Sequence, residues 1–341
     1  MNLPDYNFLS APLWLVTILH VVTLTLHFLA MNFVVGGVII LLFGRFSEKW
    51  NHPTVGGIIK QLPNAMAATI TLGVAPLLFV QLVYADQVYS ASIVSAWFWL
   101  MIALAAIIVY YFLYASSFAV VSGGRRLGTY LTVALIGLLY ISLVYSSVFS
   151  LAEHPELYLS LYAGNQSGLV LNTDFGSYLF RWLHMLLGAL TVGGFFVALL
   201  GRDDQQAYGT GKTFYLWGMA AAMVLGLIYL FTLGDYILPL MRSPAVWVLV
   251  VAIVLSLLSL HFVFKKRFVW SGLMLAVSLL GMVFVRHTLR LLLLEGKFDP
   301  AAIAVRPQWS VFVVFLICFL LAIALVWYML KLFFGGRGQP V

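Results

Sequence analysis

The sequence predicts an all-α integral membrane protein of about nine transmembrane helices, N-terminus out and C-terminus in, and three observations predict it. The chain is 63% hydrophobic and only 9% charged, with mean hydropathy +1.05, whereas a soluble domain carries about a quarter charged residues. Apolar runs long enough to cross a bilayer recur along it, since a span needs about 20 residues. Lys and Arg gather on alternate connecting segments.

In chain order the expected spans are 11–44, 57–85, 92–122, 128–152, 174–201, 213–234, 243–264, 267–294 and 309–334. The first and eighth are long, which implies tilt or protrusion past the headgroups. The first is too long for a signal peptide and lacks a basic leader, so it reads as a retained helix. Pro76, inside GVAPLLFV, is expected to kink the second span. With the N-terminus outside, the inner segments carry Arg45, Lys49, Lys60, Arg125, Arg126, Arg202, Lys212, Lys265, Lys266, Arg267, Lys331 and Arg337. The outer ones carry Arg181, Arg242, Arg286, Arg290, Lys297 and Arg306. That bias gives N-out, C-in. The net charge of +7 belongs mostly to the inner rim and is no nucleic-acid signal, because no basic patch with interleaved aromatics exists. Most of the acids fall outside: Asp5, Asp86, Glu153, Glu156, Asp174, Asp235, Glu295 and Asp299. This rim reads as solvated loop, with docking of a basic partner as the alternative. The two sizeable outer loops, 153–173 and 295–308, are too short for a domain, so residues 1–341 read as one transmembrane domain. No strong sequence repeat stands out.

Chemistry inside such a protein falls to polar groups that hydrocarbon penalises. His20 and His27 share one face of the first span, two turns apart. His184, in FRWLHMLLGALTVGGFF, is followed one turn later by Gly188 and then by Gly193 and Gly194. A wide, rigid porphyrin needs small residues beside its ligand; the same glycines also suit helix–helix contact. Arg181 precedes His184 by one turn, on the outer side, where a guanidinium can pair with haem propionates. His287 is flanked by Arg286 and Arg290 at the outer end of the eighth span, and Arg242 follows Met241. Positive charge on the outer side runs against the general bias; propionates would explain it, and so would an anionic headgroup. By topology the outer ends of spans one, five and eight can meet. His52 and His154 fall in loops, and His261 sits near Lys265 and Lys266, an interfacial or lipid contact. The lone Cys318 and the absence of a Cys-x-x-Cys-His motif leave only non-covalent haem binding. No acidic residue lies deep in a span; the polar candidates Gln81, Thr69, Thr71 and Tyr84 are neutral. Carboxylate-based proton delivery to an oxygen site is therefore not supported.

These residues resemble subunit I of the cytochrome bd quinol oxidases, mostly over 20–201. LTLHFLAMNFVVGG resembles the first-helix motif, TLGVAPLLFVQLVY the stretch that in the family precedes a proton-path glutamate (here Gln81), and FRWLHMLLGALTVGGFF the fifth helix. The resemblance implies helical bundles with haem b, two or more and non-covalent. His27 would ligate a haem of the active-site pair, and His184 the low-spin haem. Met241 is a positional guess for the methionine ligand, with His20 as another partner. His287 is the nearest counterpart of the glutamate that holds a second haem. The long quinol-binding outer loop is missing, and VRPQW (305–309) only loosely matches the GRQPW motif.

The expectation is a haem b subunit, with ligands His27, His184, His287 and His20, that moves electrons between a quinone pool and a c-type cytochrome on the outer face. Its place would be a bacterial or archaeal cytoplasmic membrane. A terminal quinol oxidase that reduces oxygen is the runner-up, and a haem-free transporter or scaffold subunit the third reading. An inverted repeat would favour the last.

Overall fold

The computed structural model describes residues 8–44, 53–122 and 126–335. The expectations placed on Asp5, Arg45, Lys49, His52, Arg125 and Arg337 lie outside these residues. Among the described residues the chain is helical almost throughout, and nine helices are long and apolar enough to cross a membrane. The protein is an all-α integral membrane bundle.

The spans are α1 (Leu13–Phe43), α2 (Pro53–Val83), α4 (Ala96–Val121), α5 (Leu127–Leu151), α7 (Phe175–Leu200), α8 (Gln205–Thr232), α10 (Ala245–Phe264), α11 (Phe268–Leu293) and α12 (Trp309–Gly335). Three short helices, α3 (Ala85–Val94), α6 (Pro155–Gly164) and α9 (Ile237–Arg242), join successive spans at the ends that the charge bias assigns to the outer side. Hydropathy alone assigns these segments to loop or span edge. Their polar residues mask the helical period, and Pro155 takes the first turn of α6, where its missing N–H costs nothing. The largest difference in a boundary is at α8, which begins eight residues early: Asp204 accepts hydrogen bonds from the amides of Gln206 and Ala207 and so starts the helix in polar sequence. α2 also starts early and runs unbroken through Pro63 and Pro76. α1, the first span, is long as expected, at 31 residues, but α2 equals it and α11, the eighth span, has only 26.

The chain divides into two compact units, Ile18–Asp299 and a smaller one of 1–17 with 300–341. In the smaller unit β1 (Phe8–Leu9) pairs in parallel with β2 (Ala304–Val305), and Arg306 lies over the Phe8 ring. In the larger unit α7 packs along α8, α10 along α11 and α4 along α5. Its main core joins Val34, Val38 and Leu41 of α1 to Ile58 and Leu62 of α2, Leu113 of α4, Leu131 of α5 and Ala189 and Val197 of α7. At this depth glycine lets backbones touch. A methyl on Gly36 would collide with the Ala189 carbonyl, and one on Gly193 would lie 2.6 Å from Gly36 Cα. Only glycine fits such a crossing. A second small core centres on Tyr215, whose hydroxyl meets Ser259 Oγ at 2.6 Å, while Ser259 and Ser271 bond each other's carbonyls across α10 and α11.

Candidate haem-ligand sites and the outer charge cluster

His27 and His184 occupy matching constructions. His27 Nδ1 lies 2.9 Å from the Thr69 carbonyl oxygen on α2. His184 Nδ1 lies 2.8 Å from the Ala222 carbonyl oxygen on α8. A carbonyl only accepts, so each Nδ1 carries the proton and donates. Each Nε2 then keeps its lone pair, the state in which imidazole binds a metal, and the Nδ1 bond sets the ring's orientation. One turn beyond each carbonyl stands a glycine that leaves room for the ring. A methyl on Gly73 would lie 2.8 Å from His27 Nδ1, and one on Gly226 would lie 3.0 Å from His184 Cε1.

The match extends through the sequence. Leu26, His27, Leu29, Val35, Gly36, Gly37, Leu42, Gly44 and Arg45 align without a gap to Leu183, His184, Leu186, Val192, Gly193, Gly194, Leu199, Gly201 and Arg202. On the following span Met66, Ala67, Ala68, Leu72 and Gly73 align to Met219, Ala220, Ala221, Leu225 and Gly226. The expectation of no strong repeat is therefore corrected. An apolar background hides it, because Leu, Val and Ala recur by chance in every span and only the His and Gly positions are informative. The structure treats the copies as equivalents. Gly36 and Gly193 face each other, while Gly37 packs on Leu62 of α2 and Gly194 on Tyr215 of α8, themselves aligned positions. With three spans between them α1 and α7 run the same way, so the repeat is a direct one and not inverted.

The donor set of His27 and His184 fits a haem iron: a neutral imidazole fixed through Nδ1. Gly188 adds space beside His184, since a methyl there would meet nothing. His20 on α1 is arranged similarly, its Nδ1 donating to the Pro76 carbonyl at 3.1 Å, and it is buried. His20 lies within electrostatic range of His287 and Arg290 on α11. His287 differs from the other three: its Nδ1 is buried without a hydrogen-bond partner among the described residues. Met241 lies half-buried on α9. His154 Nδ1 bonds the Ser150 carbonyl near the start of α6, and His261 is exposed near the end of α10.

The outer ends of spans five and eight do meet, around a residue that sequence reasoning misreads. Glu153, expected in a solvated acidic rim, is 2% exposed. Of the four outer arginines expected to face propionates, Arg181, Arg286 and Arg290 converge on it, whereas Arg242 is exposed on α9. Arg181 Nη1 lies 3.4 Å from Glu153 Oε2, Arg290 Nε lies 3.2 Å from Oε1, and Arg286 Nη2 donates to both oxygens. Arg181 also donates to the Ser146 carbonyl at 2.8 Å. Burial alone would push the Glu153 carboxyl up, but Arg286, Arg181 and Arg290 together hold it at about 2. One carboxylate cannot balance three guanidiniums, and Arg286 Nη1 and Arg290 Nη1 are buried without partners among the described residues. A loop glutamate reads as solvated by default; the signal that could have found it is the excess of outer arginine, which asks for a buried anion.

Among known proteins, no family model and no curated sequence matches the chain.

Proposed function

We propose that this chain is a haem b subunit of a membrane electron-transfer complex, a divergent relative of cytochrome bd subunit I. In this reading it passes electrons between the quinone pool of a bacterial or archaeal cytoplasmic membrane and a c-type cytochrome on the outer face. The observation that supports it most is the pairing of His27 and His184 at aligned positions, each with Nδ1 committed to a neighbouring helix and Nε2 left for a ligand. A helix–helix contact alone would need only one such hydrogen bond in any position. The same device twice, at one depth, suits two equivalent cofactors.

Bound haem b would supply one-electron transfer at a potential set by axial ligands, burial and nearby charge. The residues of the chain do the rest. His27 and His184 would hold the two irons, with His20 and His287 as candidates for the remaining axial positions. Arg286 and Arg290 have buried N–H groups to spare for haem propionates, which would also balance the surplus positive charge beside Glu153. The direct repeat does not by itself separate this reading from a transporter, since transporters also contain direct repeats. Histidine as the repeated intramembrane residue favours the redox reading.

The test is electron flow through purified protein in nanodiscs. A short-chain quinol should reduce bound haem b, and an added oxidised c-type cytochrome should reoxidise it. Haem that neither reagent touches would contradict the proposed place in the chain. Carbon monoxide binding to the reduced form would favour the oxidase reading instead.

A further inference from the structure

A groove of about 760 Å³ is lined by residues of α4, of α5 and of the turn between them. Tyr110, Tyr114 and Phe118 recur at four-residue spacing, so they form one ladder on α4. Tyr130 of α5 and Arg126, in the turn before α5, close the end nearest the basic loops. The rings are ordered. Tyr110 meets Tyr114 edge-on at 4.9 Å and 84°, and Tyr114 lies near-parallel to Phe118 at 28°. The groove opens on the surface that these spans present to lipid: Phe118 is 70% exposed and Tyr114 40%.

Two features make an ordinary lipid-facing surface a poor description. Tyrosines of membrane proteins concentrate at the interface, yet Tyr110 stands roughly 16 Å along the helix from the end of α4. A hydroxyl in hydrocarbon needs an acceptor. Tyr110 donates to Tyr114 at 3.4 Å, a marginal bond, and Tyr114 must pass its own proton elsewhere. An acyl chain offers neither a flat face for these rings nor an acceptor at this depth. A planar ring that carries carbonyl oxygens offers both.

We propose that the α4–α5 groove binds the head group of an isoprenoid quinone. Its ring stacks on Tyr114 and Phe118, its carbonyl oxygens accept from tyrosine hydroxyls, and its tail leaves into the bilayer past Ile107. The inference rests on the electron-carrier reading only for the quinone pool as source; binding itself requires no haem.

The experiment uses the full chain in phosphatidylcholine nanodiscs, titrated with decylubiquinone and with a short-chain menaquinone analogue while intrinsic fluorescence is followed. Haem content is measured separately. The wild type should bind one of the quinones saturably, and Tyr114→Ala/Phe118→Ala should weaken that binding at least tenfold. Both side chains are exposed, so the variant should fold, and equal haem content and thermal midpoint will verify it. Tyr114→Phe, which keeps the ring and loses the hydroxyl, should weaken binding by a smaller factor. Unchanged quinone binding in the double variant, or saturable retention of phosphatidylglycerol but of neither quinone, overturns the proposal. A haem-free preparation that still binds quinone at this groove supports it, while removing the electron-carrier reading.

Discussion

The α1–α2 half and the α7–α8 half use one plan at the level of the histidines and different plans above it. At the shared level each has a histidine bonded to a carbonyl, a glycine beneath the ring, and a glycine pair that faces the other copy first and its own partner helix second. Toward the N-terminal ends of α1 and α7 the correspondence stops. The position of His20 is taken by Ser177, that of Pro76 by Tyr229, and that of Leu24 by Arg181, which binds Glu153. Beside the histidines the position of Gly188 is taken by Met31. Packing and imidazole geometry are thus kept in both halves, while the charge environment is not. Two haems held this way would sit in similar pockets at different potentials.

The outer layer should break most severely. Glu153→Gln leaves three guanidiniums without their counter-ion, and loss of one partner from a buried ionic cluster costs about 3–5 kcal/mol. The thermal midpoint in detergent should fall sharply; an unchanged midpoint would remove Glu153 from the account. The pH dependence follows from its sign. The carboxyl is held below its ordinary value, to about 2, so its contribution is complete above the unfolded value of about 4.3 and is lost as pH falls toward 2. Unfolding should therefore respond to this group between about pH 4 and 2, and not between 8 and 5.

The glycine crossing should break next, and equally from both sides. Gly36→Ala and Gly193→Ala each drive a methyl into opposing backbone, where overpacking typically costs about 1–3 kcal/mol. Loss of folded yield from one variant and not the other would contradict the equivalence of the halves. A finer comparison is Gly73→Ala against Gly226→Ala. The first methyl crowds His27 Nδ1 at 2.8 Å and the second His184 Cε1 at 3.0 Å, so Gly73→Ala should displace its imidazole more and broaden the haem spectrum more. The smallest effect on stability is expected from Gly188→Met, within about 0.5 kcal/mol, since nothing packs there. That variant copies Met31 into the second half and should narrow the space beside His184, with loss of its haem band as the readout.

The fold was legible because hydrocarbon solvent imposes long apolar helices, and a run of that length has few other readings. The span edges were less so: Asp204 starts α8 through hydrogen bonds that hydropathy does not register. His27 and His184 were legible as polar rings in apolar runs. Their carbonyl partners, Thr69 and Ala222, were not, because a main-chain acceptor leaves no mark in side-chain identity. Glu153 escapes for a related reason. Its burial depends on Arg181 of the next span and on Arg286 and Arg290 of α11, far along the chain, and nothing adjacent to it signals that convergence.

Haem stoichiometry in single histidine variants measures the central claim most directly. Pyridine haemochrome analysis of the purified wild type should give at least two haem b per chain. His27→Ala and His184→Ala should each lose one, with the other haem's reduced spectrum retained. A folded, colourless wild type, or variants with undiminished haem, would contradict it.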